Sequence, residues 1–180
     1  MCGHCGAHIS SNRGYSASAP LNFKAAMYIC HACTRPTLFM DLGKSPEQVP
    51  GPPFGKTVSD VTDHDVAAIY EEARRATAAG AHSGAVMCCR KLLMHLAVAK
   101  GAPPGKTFKE YIDYLDANHY TPPGSKPWVD SIRNKGNDVN HSITISTRAD
   151  AELLIGFAEM LLQLQYEFPA KLKPPPPSTP

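Results

Sequence analysis

Apolar residues follow two different periods along the chain. Between residues 21 and 29 they alternate with other residues, and this period of two is typical of a β-strand. The alternating residues are Leu21, Phe23, Ala25, Met27 and Ile29. From residue 59 onwards apolar residues recur every three or four positions, which is the period of amphipathic helices. The pattern predicts a mainly α fold, in which a small β unit precedes an antiparallel bundle of about five helices.

Capping and helix-breaking residues delimit the predicted helices. Ser59 or Asp60 can cap the first helix, and Gly80 suits the left-handed position that ends it. The five helices are predicted over residues 59–80, 83–100, 107–118, 127–135 and 148–168, with Thr107 opening the third. The turn between the first two is so short that we expect them to pack antiparallel. The fifth carries a wide apolar surface, so it should be central to the bundle or shared with a second subunit.

Proline-rich segments separate the predicted units. Residues 43–58 hold four prolines and three glycines, so they can neither continue a helix nor donate freely to a sheet. We expect a linker there, docked in part through Phe54 and Val58. The chain ends in PPPPSTP, which carries nothing to bury. The predicted organisation is a β unit over residues 1–42, a linker over 43–58, a helical domain over 59–170 and a disordered tail over 171–180.

Composition excludes some classes of function. The formal net charge is +2, from 18 Lys and Arg against 16 Asp and Glu, which is not the charge of a protein that coats DNA. No apolar run approaches the roughly 18 residues that span a bilayer, and Met1 is followed by Cys-Gly-His-Cys rather than by a leader. We therefore expect a cytoplasmic protein with no membrane segment. No small-molecule cofactor is predicted.

Four of the six cysteines form two C-x-x-C pairs. The pairs are Cys2 with Cys5 and Cys30 with Cys33, and 24 residues separate them. This is the ligand spacing of zinc ribbons, in which each pair delivers two thiolates from one tight turn. A segment this short has little apolar core, whereas zinc contributes on the order of 10 kcal/mol or more to the folding of such units. We predict one structural Zn²⁺ ion held by these four cysteines.

Alternatives to four-cysteine ligation remain open in the sequence. The pairs can be a redox dithiol, or the spacing can be accidental. His4, His8 or His31 can replace one of the sulfur ligands. Gly3 and Gly6 favour metal binding, because such turns need backbone N–H groups directed at sulfur and tolerate a positive φ.

The β unit carries few basic residues. Arg13, Lys24 and Arg35 are the only ones before Lys44, and three charges make a thin surface for phosphate. We therefore favour structural bracing or protein contact as the role of this unit. Nucleic-acid binding through Lys24 and Arg35 is the alternative.

A polar segment, RNKGNDVNH, interrupts the helical half over residues 133–141. If the helix continued, Arg133, Asn137 and His141 would share one face. A guanidinium that holds phosphate and an imidazole that transfers a proton are the minimum set for cleaving RNA through its own 2′-hydroxyl. The alternative, which the spacing alone favours, is that Gly136 ends a helix and His141 is an ordinary half-buried residue.

Other conspicuous residues have structural interpretations. Cys88 and Cys89 lie in the second predicted helix, where free cysteine is usually a small buried hydrophobe. Trp128 can stack on a base, but beside Pro127 it is more typical of a bundle anchor. The basic residues of the first two helices can form a strip for phosphate, although such residues are usually a solvated face. They are Arg74, Arg75, Arg90, Lys91 and Lys100.

The helical half resembles domain-of-unknown-function family 4145, which is related to the HEPN superfamily of small helical bundles. The resemblance covers about residues 59–170, and an N-terminal zinc ribbon also recurs in that family. The segments that carry it are EEARRATAAG (71–80), RKLLMHLA (90–97), FKEYIDYL (108–115), SIRNKGNDVNH (131–141) and ADAELLIGFAEMLLQLQYEFP (149–169). It implies a HEPN-like antiparallel bundle that commonly pairs as a homodimer, and an association with restriction, toxin and anti-phage systems.

The resemblance also implies candidate catalytic residues. In catalytic HEPN ribonucleases an Arg and a His, four to six residues apart and with a polar residue after the Arg, face each other across the dimer. The matching residues are Arg133, Asn134 and His141. Seven residues, 134–140, separate the Arg from the His here, a departure from the catalytic spacing that argues against nuclease activity.

These observations favour a zinc-binding, HEPN-like binding or regulatory module, dimeric and noncatalytic, in a bacterial or phage defence setting. Its partner is a protein or an RNA. The rival hypothesis is a metal-independent endoribonuclease, with His141 as general acid or base, Arg133 stabilising the phosphorane and Asn137 binding nearby. A third hypothesis is nucleic-acid binding through the ribbon, which predicts an affinity that falls with salt.

Overall fold

An antiparallel sheet precedes a set of packed helices in the computed structural model, which describes residues 1–8, 10, 12–18, 24–41, 46–138 and 145–172. The strands are β1 (Gly14–Ser18), β2 (Lys24–Ile29), β3 (Pro36–Asp41) and β4 (Pro46–Val49). The main helices are α1 (His64–Ala78), α2 (His82–Ala99), α3 (Phe108–Ala117), α4 (Lys126–Asp138) and α5 (Arg148–Leu162). The last of these continues through a π-helical turn (Gln163–Glu167) into the short α6 (Phe168–Lys171). The predicted mainly α fold with a small β unit is confirmed.

The four strands form one antiparallel sheet in the order β1-β2-β3-β4. The predicted alternation is confirmed for Ala25, Met27 and Ile29, which lie in β2. Leu21 and Phe23, the other two residues of the pattern, lie outside the described residues. Each strand pairs with its neighbour in sequence, so the sheet is a meander that needs only short connections.

The sheet extends further along the chain than the sequence predicts. Residues 46–49, expected to belong to a linker outside the sheet, form β4 and pair with β3. Proline is tolerated because β4 is the last strand in the order, and Pro46 occupies its first position, opposite Asp41. The expectation that the prolines keep this segment out of the sheet is therefore wrong for these four residues.

Helix ends agree with the predicted signals in most places. Gly80 follows α1 with a φ of 78°, and Thr107 caps α3 in a reciprocal arrangement with a glutamate three residues later. The start of α1 is the exception. Asp63, rather than Ser59 or Asp60, accepts two backbone hydrogen bonds from the first turn. Asp60, with a φ of 61°, lies three residues before this cap.

The hydrophobic core lies around α2, which packs against α1, α3 and α5. The helix α5 also contacts α1 and α4, and its residues Phe157, Leu161 and Leu162 are fully buried, so the first predicted alternative, a position within the bundle, is confirmed, whereas sharing with a second subunit stays a prediction. Cys89 is buried in this core, and Cys88 lies partly buried against it. Within the described residues, every helix is too short or too polar to cross a lipid bilayer.

The segment between β4 and α1 is fixed to the helices by a buried arginine. Phe54 and Val58 contact the core, as predicted. The guanidinium of Arg74 in α1 donates hydrogen bonds to the carbonyls of Phe54 and Gly55, at 3.0 and 2.8 Å, and to Oγ1 of Thr57 at 3.0 Å. Three groups of one short segment, two backbone carbonyls and one hydroxyl, are thus held from a single helix.

The basic residues of α1 and α2 do not form one solvated strip. Arg74 and Arg90 are buried, whereas Arg75 and Lys91 are exposed. Arg90 stacks its guanidinium over the ring of Phe108 at 4.4 Å. The expected common face is therefore wrong for the two buried arginines, because each covers apolar surface with its stem and stacks or hydrogen-bonds with its head.

Candidate metal centre

The sulfur atoms of Cys2, Cys5, Cys30 and Cys33 all lie within 4.8 Å of one another. The Cys2 and Cys33 sulfurs are 3.7 Å apart, and the Cys5 and Cys30 sulfurs are 3.8 Å apart. An ion with four sulfur ligands at about 2.3 Å in a tetrahedron would hold the sulfurs about 3.8 Å apart. Two of the sulfur–sulfur distances match this value and all lie within 4.8 Å, so the four cysteines form a cluster that could hold a metal ion.

The backbone repeats itself in the two cysteine turns. The N–H of Gly6 donates to the carbonyl of Cys2, and the N–H of Thr34 donates to the carbonyl of Cys30, both at 2.9 Å. A second pair of bonds runs from Cys2 N–H to the Ala7 carbonyl and from Cys30 N–H to the carbonyl five residues later, at 2.7 and 3.0 Å. Each turn thus presents its two sulfurs in the same way, as two ligating turns of one metal site would.

Hydrogen bonds to the Cys2 sulfur surround the cluster. The backbone N–H of His4 lies 3.4 Å from this sulfur, and the hydroxyl of the buried Thr37 lies 3.9 Å from it. The His4 ring contacts the Pro36 carbonyl at 2.9 Å. Within the described residues, the ligand group contains four cysteines and no imidazole. Hydrogen-bond donors such as the His4 N–H and the Thr37 hydroxyl stabilise a thiolate and orient it towards a metal.

The thiols influence one another's ionisation. Burial raises the pKa of Cys2, but the N–H groups of His4 and Cys5 and the neighbouring sulfurs lower it to about 6. The N–H of Ala7 lowers the pKa of Cys5, yet burial and the other three sulfurs raise it to about 12. One thiolate therefore forms readily and the next is disfavoured by like charge. A bound cation would supply the compensating positive charge.

The first cysteine turn is packed against the start of the segment that leads to the helices. Gly3 lies so close to the Pro50 carbonyl that no side chain fits between them. Its role is this close approach and not the positive φ expected from the sequence, which Gly6 alone shows in this turn, at 73°. The N–H of Gly51 then donates to the Ala78 carbonyl, at 2.8 Å, at the end of α1. The cysteine cluster is therefore connected to the helices through two consecutive backbone contacts.

Comparison with known proteins identifies the helical part. A family model described as "Domain of unknown function (DUF4145)" matches residues 71–174, which is more than half of the 180-residue chain. The chain belongs to the DUF4145 family. No curated protein and no solved structure matches it. The DUF4145 match begins within α1, so the cysteine cluster lies outside the matched residues, and the relation to HEPN proteins stays a prediction.

The two basic residues predicted to bind nucleic acid lie far apart in this DUF4145 protein. Lys24 begins β2 and stands opposite Asp41, whereas Arg35 immediately precedes β3, at the other end of the same strand pair. The five residue-to-residue steps between the two ends of β2 span about 17 Å at roughly 3.3 Å per residue. The structure therefore does not bring Lys24 and Arg35 to one site.

The predicted ribonuclease residues are only partly described. Arg133, Asn134 and Asn137 lie in α4, which continues through Gly136 to residue 138 rather than ending there. Gly136 is therefore not the helix end that the sequence suggested. His141 lies outside the described residues. The pairing of Arg133 with His141, and any catalytic role, stays a prediction.

The structural role of Trp128 was predicted from the sequence, whereas that of Arg74 was not. Trp128 packs edge to face on Phe157, with ring centroids 5.4 Å apart, which confirms the predicted anchor. The Arg74 clamp, by which we mean the hydrogen bonds from the Arg74 guanidinium to residues 54–57, was not predicted. The burial of Arg74 could have been predicted from its position, because Arg74 follows the core residue Tyr70 by one helical turn and so lies on the buried face of α1.

Proposed function

We propose that the four cysteines hold one structural zinc ion and that this zinc unit braces the DUF4145 helices as part of a noncatalytic binding module. The supporting observation is that sulfurs of the first turn lie 3.7 and 3.8 Å from sulfurs of the second, and that the two turns make the same backbone hydrogen bonds. Four thiolates complete a tetrahedron, so no coordination position remains for water or a substrate. The site then stabilises the sheet instead of performing a reaction.

Zinc is proposed because of the chemistry of the ligands. Tetrahedral sites with four sulfurs select zinc or iron among the common metals. The half-exposed sheet has little apolar interior of its own, and bound metal contributes free energy of folding directly in such small units.

Elemental analysis with visible absorption tests this assignment on the full-length protein. We expect one zinc per chain and no visible band, because zinc has a filled d shell. A Cys30→Ser variant, which removes a buried ligand, should lose the metal. Iron with a thiolate charge-transfer band, or a chain purified without metal, would overturn the zinc assignment.

The binding role, a homodimeric state and a setting in bacterial or phage defence rest on the resemblance of the helical half to HEPN bundles. The partner is taken to be a protein in preference to RNA, because Lys24 and Arg35 lie at opposite ends of the β2–β3 pair and so do not form one phosphate-binding cluster. Light scattering after size-exclusion chromatography tests the homodimer. A mass of one chain at every concentration would exclude it.

A further inference from the structure

Residues of α2 and of its neighbouring helices line a groove in two parts. Its larger part has a volume of about 610 Å³ and lies between α1, α2 and the start of α3. A second part, of about 420 Å³, continues it between α1 and α2. Ile69, Glu72 and Lys91 line both parts, so the two parts adjoin.

The middle of this groove is apolar and adaptable. Ile69 and Met94 lie partly buried in its wall, and Phe108 is buried beside them. Met87 lines the same part although 53% of its surface is exposed. Methionine is unbranched and polarisable, so it adjusts to different apolar surfaces, and it is frequent where proteins bind partner helices.

Charge is distributed unequally along the groove. Arg90, Lys91 and Lys106 line the larger part, against the single carboxylate of Glu72. The Lys106 ammonium also lies 3.5 Å from the Glu110 carboxylate. This ion pair is weak because both side chains are about half exposed to solvent. An anionic group in this end of the groove would therefore be favoured.

The carboxylates in the second part disfavour a nucleic acid as the occupant. Asp65 and Glu72 line it beside Lys91 and His95, and the His95 ring contacts Asp63 at 3.3 Å. A phosphate backbone that followed the groove would meet these carboxylates. The eight residue-to-residue steps from Met87 to His95 correspond to about 12 Å of helix, or roughly two turns of a second helix lying alongside.

We propose that this groove binds a short amphipathic helix of a partner protein, with apolar side chains against Met87, Ile69 and Met94 and a carboxylate near Lys91 and Lys106. Amphipathic helices bind in this manner to apolar grooves between helices, through residues spaced three or four apart. The proposal deepens the binding role proposed above and names the surface and the chemistry of the partner.

Selection from a displayed library of random 16-residue peptides tests the proposal on the zinc-loaded full chain. We expect the selected peptides to share apolar residues at helical spacing and an acidic residue. Met87→Asp should weaken their binding at least about tenfold, the scale of losing one buried anchor at an interface. Lys106→Glu should weaken it several-fold and recover with a basic residue in the peptide.

Lys109→Glu is the matched control, because Lys109 is an exposed residue of α3 that does not line the groove. The affinity of the Lys109→Glu variant for the selected peptides should stay within about twofold of the wild-type affinity. Failure to select any peptide, equal binding to Met87→Asp, or displacement of the peptides by a random-sequence RNA would overturn the proposal. Zinc content measured on the same variants separates this outcome from a failure of the metal assignment, since Met87 and Lys106 lie outside the cysteine cluster.

Discussion

Gly6 and Thr34 occupy the same position in the two cysteine turns, and both have a left-handed backbone, with φ values of 73° and 58°. Glycine adopts this conformation freely, but a β-branched residue there is strained by about 1–3 kcal/mol. The two turns are therefore equivalent in hydrogen bonding but not in backbone strain.

Replacing Thr34 by glycine should stabilise the second turn. We expect Thr34→Gly to raise the free energy of unfolding by about 1 kcal/mol, because relief of strain exceeds the added entropy of the unfolded chain. Denaturation by urea, monitored by metal transfer to a coloured chelator, measures the effect. Thr34→Ala keeps the strain and should give no gain. A loss of stability in Thr34→Gly would show that the turn does not require a left-handed residue.

Gly3 should tolerate no side chain. Gly3→Ala places a carbon against the Pro50 carbonyl, which is backbone and cannot rotate away, so we expect a loss of about 2–3 kcal/mol in stability. Gly84→Ala is the control, since Gly84 lies in α2 with open space around it and should gain about 0.5–1 kcal/mol. Thermal unfolding of both variants tests the pair. Equal effects would contradict the close packing of Gly3.

The fold was largely predictable because its signals are local. The C-x-x-C spacing, the glycine at position 80 and the Thr107 cap each act within a few residues, and the structure agrees with all three. The strand β4 was not predictable, since its formation depends on pairing with β3 and on an edge position that lets Pro46 join the sheet. The prediction was wrong where the structure depends on contacts between segments that are distant in the sequence.

The same distinction applies to the candidate sites. The four cysteines come together because two local turns are joined through a small sheet, and their spacing is visible in the sequence. The groove along α2 combines residues of three helices and cannot be recognised from any one of them. The burial of Arg74 was not predicted because arginine usually lies on the surface. In this structure residues 54–57 supply the acceptors for its hydrogen bonds.

Removal of the Arg74 side chain should detach the segment before α1. Arg74→Ala leaves two backbone carbonyls and the Glu71 carboxylate without their donor, so we expect a loss of about 3 kcal/mol. Arg74→Lys should lose somewhat less, because one ammonium cannot reproduce the planar fork. Arg75→Ala, at the exposed neighbouring position, should change stability by no more than about 0.5 kcal/mol. Chemical denaturation compares the three, and similar values for Arg74→Ala and Arg75→Ala would contradict the clamp.

Glu110 should make the start of α3 sensitive to acid. The Thr107 backbone N–H and hydroxyl lower the pKa of Glu110 below its ordinary value. A carboxylate with a lowered folded-state pKa stabilises the protein above its unfolded pKa of about 4.3, and this contribution is lost as the pH falls through the folded pKa. Glu110→Gln cannot titrate, so its melting temperature should fall less between pH 5 and pH 3 than that of the wild type. Identical pH profiles would contradict the assignment.

X-ray absorption at the zinc K-edge tests the central claim most directly, because it measures the ligands of the metal in the intact protein. We predict a single shell of four sulfur atoms at about 2.3 Å, one from each of Cys2, Cys5, Cys30 and Cys33. A shell containing nitrogen or oxygen at about 2.0 Å, or fewer than four sulfurs, would contradict a closed four-cysteine centre.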